Sequence, residues 1–222
     1  MAVSHDIAAR SLAGEVPPGR RDLLFQPGDL VVFSGRDFTS RVIEWATRGP
    51  SHVGIVCPHG EEGPLLFEST TLCDEPCVLT GKRVRGVQAH EPARRIARYR
   101  GTAALVRLAP AWKLSKAETG LLHDWLMHVA SEPYDLYGAI LSGTRLFKWT
   151  ALMPYPDLGS LFCSELCAAA LMRLGRMPLG NPSLYNPASL ARELRRCGIY
   201  GAPQRISRID NCLTSATARG DP

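Results

Sequence analysis

Ser51-His52-Val53-Gly54-Ile55-Val56-Cys57 is a β-branched run. Gly49-Pro50 closes it in front, and the turn-forming stretch Pro58-His59-Gly60-Glu61-Glu62-Gly63 closes it behind. A short apolar run bounded by such breakers reads as a strand. Leu65-Leu66-Phe67-Glu68-Ser69 follows at once and reads as its antiparallel partner. Upstream, Pro27-Gly28-Asp29 marks a turn into Leu30-Val31-Val32-Phe33, a short buried strand. Thr39 or Ser40 caps a short helix carrying Val42, Ile43 and Trp45. Further strands are expected over residues 84–88 and 103–108, with a basic, helix-like segment between them over 91–99.

The second half changes period. Ser115-Lys116-Ala117-Glu118 has the pattern of a capping box, in which the first turn's orphan donors are satisfied reciprocally. The helix it opens is expected to bury Leu121, Leu122, Trp125, Leu126 and Val129. A second helix is expected over residues 137–147. Cys163, Leu166, Cys167, Ala170, Leu171 and Leu174 then recur on one helical face, and Gly175 is placed to end that helix. Asn186-Pro187 is an N-cap and first-turn pair for a last helix closing near Cys197-Gly198. Strands gathered first and helices gathered second predict an α+β fold, with an antiparallel sheet packed against helices.

Composition sets the outer limits. The chain has 222 residues, 45% apolar and 21% charged, with a mean hydropathy of −0.07. That is ordinary for a domain able to bury a core, and it argues against disorder. We expect one domain over residues 23–208, an arm over 1–22 and a tail over 209–222. No apolar run approaches the ~20 residues needed to cross a bilayer. The opening residues hold no apolar segment of the secretory kind, so a cytoplasmic location is expected. The net charge of +5 tolerates an anionic partner without requiring one. Seven cysteines, an odd number, fit reduced thiols better than a disulfide framework.

Three residues assemble a chemical argument. A cysteine nucleophile needs a base, and the base needs a group that orients it. Cys163 is expected at the start of a strong helix, where the dipole favours thiolate and free N–H groups can meet an oxyanion. The alternative is a small core residue. His52 opens an apolar strand, so its ring can face a cleft. With a turn at 58–62, His52 falls directly opposite Glu68, whose carboxylate would hold the imidazole tautomer. Cys167 lies on the same helical face without the terminal position and is read as core.

The blocks Pro27-Gly28-Asp29-Leu30-Val31-Val32-Phe33 and His52-Val53-Gly54-Ile55-Val56 resemble the core of NlpC/p60 hydrolases, within the papain-like cysteine peptidases. No cysteine precedes Cys57, whereas Phe162-Cys163-Ser164-Glu165-Leu166 follows the core. That order is similar to the circularly permuted branch, the YaeF/YiiX-type papain-like amidases. Tyr134-Asp135 and Asn186-Pro187-Ala188-Ser189-Leu190 are similar to that branch too. The resemblance spans roughly residues 24–200. It implies Cys163 as nucleophile, His52 as base and Glu68 as third residue, with Tyr134 lining the site. It implies hydrolysis of an amide, peptide or isopeptide, through a thioester on a small peptide-like or acylated substrate, including cell-wall peptides. A lipid-directed acyltransferase or phospholipase using the same site is the first alternative. A non-catalytic binding module on the same fold is the second.

Other features carry less. Cys57, His59, Cys73 and Cys77 do not have the spacing of a common zinc site, and no metal or cofactor is expected. Lys82, Arg83, Arg85, Arg94, Arg95, Arg98, Arg100 and Arg107 form a basic stretch that reads as a solvated sheet edge, with no nucleic-acid partner expected.

Overall fold

The computed structural model describes residues 25–36, 40, 44–45, 47–60, 63–70, 73–131 and 158–206. Tyr134, the helix expected over 137–147, the arm over 1–22 and the tail over 209–222 lie outside them.

Six strands form one antiparallel sheet. They are β1 (Leu30–Gly35), β2 (His52–Pro58), β3 (Pro64–Thr70), β4 (Gly86–His90), β5 (Gly101–Val106) and β6 (Gln204–Ile206), in spatial order β4-β3-β2-β1-β5-β6. Among the described residues, four α-helices accompany them: α1 (Pro92–Arg98), α2 (Lys116–Ser131), α3 (Leu158–Arg173) and α4 (Pro187–Arg196). The fold is α+β, as the segregation of periods predicts. The strand expected over 84–88 begins two residues later, because Gly86 at φ 99° makes the turn into it.

The two faces of the sheet carry separate cores. Leu30, Val32, Val53, Ile55, Cys57, Leu65 and Phe67 pack with Leu122 and Leu126 of α2 and Leu166, Cys167 and Leu171 of α3. The alternate residues, Val31, Phe33, Val56 and Leu66, pack with Ile96 of α1 on the other face. Period two along the strands therefore sorts side chains between two helical layers. Leu121 departs from expectation: it is 66% exposed, because the stripe Leu122–Trp125–Leu126–Val129 already fills the buried side of α2.

Helix ends follow their local chemistry. Ser115 and Glu118 form the expected box, the Ser115 N–H donating to Glu118 Oε2 at 2.8 Å. Asn186 and Ser189 form a second box at α4. Gly175, at φ 65°, ends α3 in a Schellman arrangement, with its own N–H on the Met172 carbonyl and that of Arg176 on the Leu171 carbonyl.

One boundary differs in a way that matters for chemistry. α3 begins at Leu158, so Cys163 is its sixth residue and not its first. Gly159 and Ser160 read as loop by composition, but a first helical turn admits both. Cys163 thus lies in the second turn, where its N–H is used by the helix and the dipole's effect has fallen off. The expected free N–H of Cys163 for an oxyanion is withdrawn.

Candidate active site

The β2–β3 register places Ile55 opposite Phe67 and Val56 opposite Leu66. Continued along the ladder, Gly54 stands opposite Glu68. The expected direct pairing of His52 with Glu68 is off by two residues, because the turn extends to Gly63 and Pro64 pairs with Pro58. A shift of two preserves the face, where a shift of one would have reversed it. His52 and Glu68 are therefore diagonal neighbours. Gly54 stands between them without a side chain, and Leu66 fills the space that a Cβ there would take.

The side chains meet across that diagonal. His52 Nε2 lies 2.6 Å from Glu68 Oε2, and both residues are buried. The same ring shares a hydrogen bond with the Cys163 thiol. His52 is the first residue of β2, so its ring at the strand end reaches Glu68 on the α1 side and Cys163 from the α3 layer. Phe33, paired with His52 across β1–β2, sets its ring centroid 5.6 Å from the imidazole. Burial opposes a charge on His52. The Cys163 sulfur, then Glu68, outweigh burial and lift the imidazole from 6.5 to about 10. The Cys163 side chain is itself fully buried.

Glu68 has a second partner that the sequence reading assigned elsewhere. Arg95 Nε donates to Glu68 Oε1, and its Nη2 donates to Oε2 at 3.4 Å. The guanidinium lies over the rings of Phe33 and Tyr99, at 5.5 and 5.3 Å. Burial would raise the Glu68 carboxyl; Arg95 and His52 together hold it well below the ordinary carboxylate range. Arg95 is thus a half-buried ion-pair partner of a fully buried carboxylate and not part of a solvated edge. The signal was present in the helix spacing: Pro92, Arg95, Ile96 and Tyr99 share one side of α1, and Pro92 and Ile96 are buried. Arg94 and Arg98, on the solvent side, both pair with Glu75.

Around Glu68 lie further polar groups on β4 and the loop before it. His90 Nε2 is 3.6 Å from Glu68 Oε1, 3.1 Å from Gln88 Oε1 and 3.6 Å from Cys73 Sγ. Burial lowers the His90 imidazole below 6.5. Neither Gln88 nor His90 stood out in sequence, because single polar residues on a strand carry no spacing signature. Cys167, one turn beyond Cys163, is fully buried and its thiol is pushed far up by burial. Cys57 is likewise pushed up to about 12. Neither is placed to react. Glu165 is 3% exposed, and burial raises its carboxyl to about 7.

No family model and no curated protein matches the chain. Among solved structures, that of the metalloprotein yiiX from Escherichia coli O157:H7, described as DUF1105, superposes with a TM-score of 0.46 and 19% identity. The superposition covers 83% of this chain and 97% of that one. It is too loose to carry any residue's role across. No helix among the described residues is long and apolar enough to cross a membrane.

Proposed function

We propose that the protein is a cysteine-dependent hydrolase with Cys163 as nucleophile, His52 as base and Glu68 as the group that orients the imidazole. The observation that carries this reading is one buried ring bonded to both a thiol and a carboxylate. That arrangement has the roles of a nucleophile, base and orienter, whatever their order in the chain. The order here, with the cysteine last, is the one the permuted papain-like resemblance implies.

The chemistry runs as acyl transfer. His52 takes the Cys163 proton, giving a thiolate beside an imidazolium that Glu68 stabilises. The sulfur attacks the carbonyl carbon of an amide. The C–N bond breaks as His52 returns its proton to the departing amine, and a thioester remains on Cys163. Water, deprotonated by His52, then adds to the thioester; the C–S bond breaks, releasing the acid and regenerating the thiol. Because Cys163 is fully buried, substrate entry requires the groups above it to move. Activation comes from the His52 pair and not from the helix dipole, since Cys163 sits in the second turn of α3.

An acyl-lipid substrate has one observation in its favour. Trp45 and Leu184 are 84% and 76% exposed. Leu184 lies just before α4, and the chain beyond Trp45 lies along that helix, with Gly49 against Ala188 and Arg192 donating to the Thr47 carbonyl.

The test is turnover of a panel of peptide amides and of phospholipid vesicles by wild type and Cys163→Ala. Amine release that Cys163→Ala abolishes, with a thioester mass on the Cys163 peptide, is the expected result. Fatty-acid release from vesicles without amine release moves the lipid reading to first place. Turnover that survives Cys163→Ala, or ligand binding with no turnover, overturns the hydrolase assignment.

A further inference from the structure

We propose that Glu68, Cys73 and His90 form a binding site for a zinc-type divalent cation. One ligand atom from each lies within 4.8 Å of those from the other two. The three come from β3, the following loop and β4, so no spacing motif announces them.

The distances suit the ion. Zinc takes sulfur at about 2.3 Å and imidazole nitrogen or carboxylate oxygen at about 2.0–2.2 Å, usually in a tetrahedron. Two ligands of such a tetrahedron stand apart by about 3.6 Å for sulfur and nitrogen and about 3.4 Å for nitrogen and oxygen. Here Cys73 Sγ is 3.6 Å from His90 Nε2, and Glu68 Oε1 is 3.6 Å from the same nitrogen. Both separations from His90 Nε2 stand close to these values already, and the third, between Cys73 Sγ and Glu68, is within 4.8 Å.

Hydrogen bonding alone leaves the cluster poorly matched. His90 Nε2 faces Gln88 Oε1, Cys73 Sγ and Glu68 Oε1, and one N–H serves only one of these well. Gln88 cannot turn away cheaply, because its amide donates to the Thr70 carbonyl at 3.0 Å and the Val84 carbonyl at 2.6 Å. A cation at the centre would be held by the imidazole lone pair, the Cys73 thiolate and the second lone pair of Glu68 Oε1. Gln88 Oε1 would stand beside it as a neutral oxygen. Thiolate and carboxylate together match the ion's two positive charges, and the Arg95 guanidinium stays bonded to the same carboxylate. Thiolate, imidazole and carboxylate together favour zinc over calcium or magnesium. A cavity of about 230 Å³, lined by Glu75, Cys77, Glu91 and Arg94, adjoins His90.

The site shares Glu68 with the proposed catalytic group but does not depend on that function, so its test uses binding alone. The reduced, metal-free full chain is titrated with cobalt(II), a spectroscopic stand-in for zinc. The expected result is one ion per chain, a thiolate-to-cobalt charge-transfer band, visible bands of tetrahedral strength, and displacement by zinc. Cys73→Ser abolishes the thiolate band; Cys163→Ala and Cys197→Ser retain it. A wild-type spectrum without the thiolate band overturns the proposal whatever the variants do. A band that survives Cys73→Ser, or that disappears with Cys163→Ala, overturns it too.

Discussion

At the scale of single residues, the informative groups are buried charges, because each must be answered by a partner. Glu68 is answered twice, by His52 and by Arg95. Removing one side of such a buried pair leaves the other uncompensated and typically costs about 3–5 kcal/mol. Arg95→Met is therefore expected to lower unfolding stability by that order in urea titration. Arg94→Ala, removing an exposed partner of Glu75, costs less than about 1 kcal/mol. Equal losses for the two would contradict the assignment of Arg95 to the Glu68 pair. Glu165 makes the opposite case. Its Oε2 has no hydrogen-bond partner among the described residues, and burial raises its carboxyl from 4.5 to about 7. The folded chain then keeps a proton that the unfolded chain releases, so stability falls as pH rises from 4.5 through 7. Glu165→Gln should flatten that fall and gain on the order of 3 kcal/mol over wild type above pH 7. Denaturant midpoints measured from pH 4 to pH 8 on both proteins check the sign.

At the scale of elements, two features of the site were legible and three were not. Period-two alternation and the breakers at Gly49-Pro50 and Pro58–Gly63 identified β2 and β3 and put His52 and Glu68 on one face. The direct pairing failed because turn length decides register, and nothing in residues 58–63 specifies that Pro58 pairs with Pro64. The start of α3 was placed late because Gly159-Ser160 reads as loop by composition. Arg95 was lost among its basic neighbours because charge counting ignores which side of a helix each residue occupies. Gly54 shows how tightly the register is held: a Cβ there would lie 2.9 Å from the Phe67 carbonyl oxygen and 2.9 Å from a Leu66 methyl. Gly54→Ala is expected to separate β2 from β3, and amide exchange at Val56 and Leu66 should accelerate. Unchanged protection at those amides would contradict it. Asn186→Ala removes the α4 cap that accepts from the Ser189 N–H at 2.8 Å. It should cost about 1 kcal/mol in the same urea titration.

At the scale of the molecule, the α+β class followed from strands gathered before residue 110 and helices after 115. What composition could not supply was the division of labour between the two faces. One face carries the large core under α2 and α3, which brings Cys163. The other carries Phe33, Leu66 and Ile96 under α1, which brings Arg95 to Glu68. His52, at the end of β2, joins these two layers, and the central claim is that this junction activates Cys163. The most direct test is the rate of alkylation at each cysteine, mapped by peptide mass spectrometry, for wild type and His52→Ala from pH 5.5 to pH 9.5 (both ends chosen to bracket the ordinary thiol range of about 8–9). The account predicts that Cys163 outpaces Cys57, Cys73 and Cys167 at acid pH, and that His52→Ala removes this advantage there while narrowing the difference at alkaline pH. Cys163 reacting alike in both folded proteins, or not reacting in either, would contradict it.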